Sequence, residues 1–184
     1  HIINQHLSVG RLKLTSYNCN GSIGLRSRRD NDVAEVFDLI MTSHITLLQD
    51  VRTDEAGKEE MRNRICPKDS FSLWELRKSN KKGYPGAGGV GIVVRGHYRS
   101  FLTKRIFKDE RKLGRYVGII IKTTPIPLAI FSIYLPSCGG ETDDERHRDG
   151  NRQYQWEYIR RNNLDTEPRL LLLNDLIKIC KELY

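Results

Sequence analysis

Three polar motifs in this chain follow predicted β-strands and carry side chains able to bind a cation or a phosphate. Asn18 and Asn20 lie in the first motif, Asp50 ends an apolar run in the second, and Tyr134 ends a strand in the third. Carboxylate and amide oxygens are ligands that Mg²⁺ accepts, and amide NH₂ and tyrosine hydroxyl groups donate to phosphate oxygens. The three motifs together therefore indicate a site for a metal ion and a phosphate group.

Each motif also has a structural interpretation that the residues alone leave open. Asn-x-Asn-Gly is typical of a turn. Asp50 at a strand end is costly to bury without a partner, and either a cation, Arg52 or the start of the next helix would supply one. Tyr134 would equally suit the edge of a core.

Apolar periodicity predicts the elements that position these motifs. Strands are predicted at 12–17, 45–49, 71–76, 90–94, 116–122 and 128–134. Helices are predicted at 33–41, 53–64, 152–161 and 168–183. The last two strands are expected to form a hairpin with a proline-containing turn.

Length and charge restrict the class of protein. The 184 residues suit one domain with a sizeable core. A formal charge of +8 favours a polyanionic partner such as nucleic acid or an acidic membrane surface. No apolar run approaches the roughly 20 residues of a membrane span, so none is predicted. The four cysteines form no C-x-x-C pair, which argues against a zinc site.

In order and spacing, the motifs resemble those of the endonuclease/exonuclease/phosphatase superfamily, most closely the endonuclease domains of LINE-type (non-LTR) retrotransposons. Residues 16–21 (Ser-Tyr-Asn-Cys-Asn-Gly) look like that family's Asn-x-Asn-Gly. Residues 47–52 (Leu-Leu-Gln-Asp-Val-Arg) are similar to its Leu-Gln-Glu-Thr-Arg, and residues 88–94 to its Gly-Gly-Val strand. Arg115 before a strand and residues 133–136 (Ile-Tyr-Leu-Pro) complete the match, which covers residues 12–184.

The resemblance implies an α/β fold, a four-layer sandwich with two packed mixed sheets, of which this chain would carry the N-terminal two thirds. It implies hydrolysis of a phosphodiester or phosphomonoester with Mg²⁺, or with Mn²⁺ in its place. Asn18 and Tyr134 would then be catalytic, and Asp50 and Asn20 would bind the metal.

The chain departs from the family in two ways. Asp50 replaces a glutamate and is one methylene shorter. The later Gly-Asp-x-Asn and Asp-His motifs are not found, so residues 11–184, after an extension at 1–10, are expected to form a domain truncated before its last motifs. The absence of an initiator methionine also suggests a longer or processed protein. We therefore expect little nuclease activity, and self-association or a partner that covers the missing strands.

Nucleic acid, with DNA expected, is the predicted partner in an intracellular, nuclear or cytoplasmic location. The side chains predicted to contact it are basic and flank the motifs: Arg26, Arg28, Arg29, Arg52, Lys81, Lys82 and Arg115. Two alternatives remain open, namely a non-catalytic remnant that binds nucleic acid or protein, and a lipid or sugar phosphatase of the same superfamily.

Overall fold

The computed structural model describes residues 7–8, 12–21, 23, 30–77, 88–135 and 150–183. The chain divides into two compact units, residues 1–134 and 135–184. The strands of the first unit, within the described residues, are β1 (Leu7–Ser8), β2 (Leu14–Asn18), β3 (Ile45–Gln49), β4 (Phe71–Glu75), β5 (Val90–Val94), β6 (Leu102–Lys108), β7 (Tyr116–Ile121), β8 (Thr123–Thr124) and β9 (Leu128–Ile133). The helices are α1 (Asp30–Thr42), α2 (Lys58–Ile65), α3 (Gly150–Arg161) and α4 (Pro168–Leu183), with a 3₁₀ helix at Gly96–Phe101.

A four-stranded mixed sheet has the order β2-β3-β5-β4. β2 and β3 are parallel, whereas β5 runs antiparallel to both of its neighbours. The pairing places Asn18 opposite Gln49, and Val90 opposite both Gln49 and Glu75. One end of this sheet therefore carries the ends of β2, β3 and β4 together with the start of β5.

A three-stranded antiparallel sheet has the order β6-β7-β9. β7 and β9 form the predicted hairpin, whose turn contains the cis peptide Thr124–Pro125. β6 was not predicted, because its Lys and Arg residues suggested a basic connection. The strand is an edge strand with exposed Lys104 and Arg105, and it buries Phe107. Edge strands commonly carry such charges, which oppose pairing with other chains.

Two apolar clusters divide the first unit into layers. One cluster joins α1 and α2 to one face of the four-stranded sheet. The other joins the opposite face of that sheet to the three-stranded sheet. β5 shows the alternation between the faces, since Val93 belongs to the first cluster and Ile92 and Val94 to the second. The first unit thus contains a helical layer and two packed sheets.

The shortest pairing involves the predicted N-terminal extension. β1 pairs in parallel with β8, and Leu7 lies opposite Thr123. Leu7 and Ser8 of the predicted extension 1–10 therefore form a small sheet with β8.

Within its described residues, the second unit contains α3, which begins two residues before the predicted helix, and α4 at the predicted residues. Pro168 begins α4, where its missing N–H costs no hydrogen bond. Leu170, Leu173 and Ile177 are exposed on α4, while self-association stays a prediction. Among the described residues, no helix is both long and apolar enough to cross a membrane.

Candidate functional site

The loops that follow β2 and β3 lie side by side. The backbone N–H of Cys19 donates to the carbonyl of Gln49 (2.8 Å), and that of Gly21 donates to the carbonyl of Asp50 (2.8 Å). These bonds continue the parallel pairing of β2 and β3 beyond the strands. The motifs of residues 16–21 and 47–52 therefore meet at one end of the sheet, as their order predicted.

The glycine segment before β5 adds a third loop. The N–H groups of Val51 and Arg52 donate to the carbonyls of Gly89 (3.1 Å) and Gly88 (2.9 Å). In return, the N–H of Gly88 donates to Asp50 Oδ1 at 2.7 Å. Both glycines have positive φ, which gives residues 88–89 the bend that this approach requires.

Asp50 is buried, and its charge is compensated by Arg52. Arg52 Nη2 donates to Asp50 Oδ2 at 2.7 Å, and Arg52 Nε donates to both carboxylate oxygens at 3.1 Å. Asp50 is only 2% exposed, and burying its charged carboxylate without this partner would cost folding free energy. Of the partners that the sequence left open for Asp50, the structure shows Arg52.

The same guanidinium reaches the first motif. Arg52 Nη2 also donates to Asn20 Oδ1 at 2.8 Å. The side-chain oxygen of Asn18 accepts the backbone N–H of Asn20 at 3.1 Å, which is the turn that Asn-x-Asn-Gly predicts. Four residues singled out from the sequence, Asn18, Asn20, Asp50 and Arg52, are thus brought together, and we call them with Gly88 the Arg52 cluster.

The backbone of the Arg52 cluster is strained. Asn20, Asp50 and Arg52 have φ values of 44°, 52° and 51°. A residue other than glycine in this region costs about 1–3 kcal/mol, and such residues concentrate at functional sites. Gly21 has φ 77°, and a Cβ atom there would lie 2.6 Å from Arg52 Cδ. Glycine at this position therefore makes room for the arginine side chain.

The predicted metal ligands do not fit a divalent ion in this arrangement. Both oxygens of Asp50 and the side-chain oxygen of Asn20 accept hydrogen bonds from Arg52. Mg²⁺ requires near-octahedral oxygen ligands at about 2.0–2.1 Å. Among the described residues, no group of three or more His, Cys, Asp or Glu side chains could hold a metal ion. A metal ion at Asp50 would require Arg52 to move away.

Arg115 lies inside the protein rather than on a nucleic-acid surface. Its Nε and Nη2 donate to the two oxygens of Asp109 at 2.8 and 2.7 Å, and both side chains are fully buried. The carboxylate also accepts the backbone N–H groups of Leu113 and Arg115 at 3.2 Å. The prediction that Arg115 contacts nucleic acid is therefore corrected, because its side chain has no solvent-exposed surface. The side chain instead stabilises the turn before β7.

Tyr134 lies just after β9, at the end of the three-stranded sheet that carries Arg115. Its backbone N–H donates to the carbonyl of Arg115 at 2.8 Å. The side chain is half-buried against the cluster between the sheets, which is the core-edge position that the sequence left open. A catalytic role for Tyr134 stays a prediction.

Polar contacts join the two sheets beside the Arg52 cluster, and the sequence did not single them out. Gln49 Nε2 donates to Ser132 Oγ (3.1 Å), and that hydroxyl donates to the carbonyl of Leu48 (3.0 Å). The N–H of Gly89 donates to the carbonyl of Gly114 at 3.2 Å. Gln49 at the end of an apolar strand was the available signal, since a half-buried amide favours a hydrogen-bond partner.

Two titratable groups near this end have shifted pKa values. Burial, with the charge of Asp50 as a smaller cause, raises the pKa of the Cys19 thiol to about 12. Cys19 is therefore not a nucleophile at neutral pH. Burial, and next the negative charge of Asp109, raise the pKa of Glu75 to about 7.

Five of the predicted nucleic-acid contacts cannot be placed. Arg26, Arg28, Arg29, Lys81 and Lys82 lie outside the described residues. Arg52 is the predicted contact that the structure both places and leaves partly exposed, with 39% of its side chain accessible.

No protein-family model and no curated protein sequence matches this chain. Solved structures do match. AP endonuclease LMAP from Leishmania major has a TM-score of 0.53 over 78% of this chain and 47% of its own, at 14% identity. A β-hairpin deletion mutant of beta toxin from Staphylococcus aureus has a TM-score of 0.45 over 83% and 62%, at 14% identity. An endonuclease/exonuclease/phosphatase family protein from Leptotrichia buccalis C-1013-b has a TM-score of 0.43 over 80% and 62%, at 15% identity.

This chain thus spans about half the length of LMAP. The likeness concerns the fold, because 14% identity carries no information on substrate or mechanism. It covers 78% of the chain, which has two packed sheets. The fold predicted from the motifs is confirmed, and the chain has an endonuclease/exonuclease/phosphatase-type fold.

Proposed function

We propose that this chain is a phosphodiesterase-type domain, related to LINE-type retrotransposon endonucleases, that binds the phosphate backbone of nucleic acid at the Arg52 cluster. The observation that carries the proposal is the convergence of Asn18, Asn20 and Arg52 at the carboxyl ends of β2 and β3. Ligand sites of layered α/β folds commonly lie beyond the carboxyl ends of strands.

The chemistry of Arg52 suits a phosphodiester. The guanidinium is fixed by Asp50 and Asn20, yet more than a third of the side chain is exposed. A guanidinium held in one orientation donates to phosphate oxygens in a fixed geometry and loses little entropy on binding. The formal charge of +8 adds long-range attraction to a polyanion. DNA is the proposed nucleic acid, and the proposed location is intracellular, nuclear or cytoplasmic.

Hydrolysis with Mg²⁺ or Mn²⁺ is the activity that the resemblance implies for the complete enzyme. The later acid and histidine motifs are not found in this sequence, and positioned acid–base groups each contribute about 10²–10⁴-fold to a rate. We therefore propose that this chain binds nucleic acid and does not cleave it efficiently by itself.

A non-catalytic nucleic-acid-binding protein is the second candidate. The bidentate pairing of Asp50 with Arg52 favours it, because this pairing occupies the carboxylate that would hold the metal. The two candidates share a binding surface and differ in whether the complete protein performs hydrolysis.

Binding to a short DNA duplex across a range of salt concentrations tests the proposal. We expect the apparent affinity to fall steeply with salt, because each phosphate contact contributes about 0.9 to the slope of log K against log salt. Arg52→Gln should weaken binding and reduce that slope by about 1. Arg62→Gln is the control, since Arg62 lies on α2 in an exposed ion pair with Glu59.

Two outcomes would contradict the proposal. Binding that is absent, or equal in the Arg52 and Arg62 variants, would remove the Arg52 cluster as the binding surface. Mg²⁺-dependent nicking of plasmid DNA by the purified chain, abolished by Asp50→Ala, would instead establish an active nuclease.

A further inference from the structure

Arg52 occupies the space between the two residues that the sequence predicted as metal ligands. Its guanidinium donates to Asp50 through Nε and Nη2 and to Asn20 Oδ1 through Nη2, over distances of 2.7–3.1 Å. A guanidinium carries one positive charge and bonds carboxylate and amide oxygens, which are also the ligands of a hard cation. We infer that Arg52 is an internal cation that closes this site to divalent ions.

The charges of the described cluster support this inference. Asp50 is its one carboxylate, and Arg52 already balances that charge. A divalent ion added beside Arg52 would meet a like charge and no second carboxylate. The backbone N–H of Gly88 also donates a hydrogen bond to Asp50 Oδ1, which leaves this oxygen less able to bind an ion. A divalent ion would therefore bind Asp50 only if the Arg52 side chain moved away from the carboxylate.

The local backbone holds Arg52 in this position. Its φ of 51° turns the side chain back over Asp50, two residues earlier. The missing Cβ of Gly21 leaves space for Arg52 Cδ. Both features are specific to this arrangement, since a simple turn requires neither an arginine with positive φ nor a glycine beneath its side chain.

This inference deepens the proposed function, because it assigns to Arg52 the role of the site's cation. It also accounts for an aspartate where the related motif has glutamate. The shorter arm of Asp50 still reaches a bidentate arginine two residues away, as the 2.7 Å bond shows.

Binding of Mn²⁺ without nucleic acid, followed by the electron paramagnetic resonance signal of the free ion, tests the inference. The proteins are the wild type, Asp50→Asn, Arg52→Lys, Arg52→Gln and the double variant Asp50→Asn/Arg52→Gln. We expect no stoichiometric Mn²⁺ site in the wild type or in Arg52→Lys, which keeps the positive charge. We expect Arg52→Gln to bind one Mn²⁺ at least about tenfold more tightly, because a nearby unit charge is removed, and the double variant to lose this gain.

Either of two results would overturn the inference. The first is a Mn²⁺ site in the wild type that Asp50→Asn abolishes. The second is a folded Arg52→Gln protein that binds Mn²⁺ no better than the wild type. Circular dichroism would show whether Arg52→Gln folds. If it does not, the comparison of the wild type with Asp50→Asn decides, and equally weak Mn²⁺ binding by these two proteins would support the inference. Because no nucleic acid is present, this result is independent of the DNA-binding test.

Discussion

Two Asp–Arg pairs lie at the same end of the two packed sheets, and they differ mainly in exposure. In both pairs the arginine Nη2 lies 2.7 Å from a carboxylate oxygen. The side chains of Asp109 and Arg115 are fully buried, whereas the side chain of Asp50 is 3% exposed and that of Arg52 is 39% exposed. The bond length therefore does not distinguish a pair that only stabilises the fold from one that can bind a ligand. The solvent exposure of the arginine does.

The surroundings of the two carboxylates explain the difference. Asp109 accepts backbone N–H groups from the turn that leads to β7, so the pair organises its own loop. Asp50 accepts one N–H from Gly88, a residue of a separate loop, and shares its arginine with Asn20. The first pair is closed within seven consecutive residues, and the second joins three loops and leaves the guanidinium partly open.

The largest effect is expected from breaking the pair of Asp109 with Arg115, which we call the closed pair. Asp109→Ala leaves a buried guanidinium without its carboxylate, which should lower the free energy of unfolding by about 3–5 kcal/mol. Urea denaturation measures this loss. Glu59→Ala is the matched control, because the exposed pair of Glu59 with Arg62 should contribute less than about 1 kcal/mol. Similar losses in the two variants would contradict the structural role of the closed pair.

A smaller loss of stability is expected from breaking the pair of Asp50 with Arg52, which we call the open pair. Asp50→Ala removes the acceptor of the buried Gly88 N–H but lets Arg52 turn into solvent, so the cost should be about 1–3 kcal/mol. Urea denaturation of Asp50→Ala beside Asp109→Ala compares the two pairs directly. A loss for Asp50→Ala as large as that for Asp109→Ala would show that the open pair is equally structural.

Gly21→Ala should disturb the open pair without changing its charges. The substitution places a Cβ against Arg52 Cδ at a residue with φ 77°, which should cost about 1–2 kcal/mol of stability. It should also weaken DNA binding, because Arg52 is displaced. The same two measurements on Gly89→Ala, which has φ 86° but no contact with Arg52 in its surroundings, provide the control. Equal DNA binding by both variants would separate Gly21 from the function of Arg52.

The last effect concerns pH and reports the burial of Glu75 beside Asp109. The pKa of Glu75 is raised from 4.5 to about 7, first by burial and next by Asp109. The folded protein thus binds this proton more tightly than the unfolded chain, so the stabilising contribution is present below pH 4.5 and is lost as pH rises through about 7.

Glu75→Gln should therefore remove part of the loss of stability over that pH range, as urea denaturation at several pH values would show. Glu60→Gln serves as the control on an exposed acid. If the pH dependence of Glu75→Gln equals that of the wild type, Glu75 does not titrate as described.

The sequence predicted the elements that have strong apolar patterns and the meeting of the loops. β3 and β5 were predicted because their apolar runs are buried on both faces. β6 was missed because charge dominates an edge strand that buries little. The meeting of the loops that carry Asn18 and Asp50 followed from the order of the motifs on parallel strands.

Side-chain partners were harder to predict, since they depend on backbone conformations that the residue types do not reveal. Arg52 was one of the partners that the sequence left open for Asp50, but no local preference of arginine indicates the φ of 51° with which it folds back on the carboxylate. Arg115 was assigned to the surface because its partner Asp109 lies across a turn whose shape the sequence does not encode in a recognisable pattern. Burial of both charges follows only from that turn.

The most direct test of the functional account follows the arginine Nε–H groups by nuclear magnetic resonance while a DNA duplex is added. Arg52 and Arg115 both donate through Nε to a carboxylate, at 3.1 and 2.8 Å, so each should give a protected signal. Arg52→Lys and Arg115→Lys assign the two signals. We predict that DNA shifts the Arg52 signal and leaves that of Arg115 unchanged. Bound DNA with an unchanged Arg52 signal would contradict the proposal that the open pair is where the phosphate backbone binds.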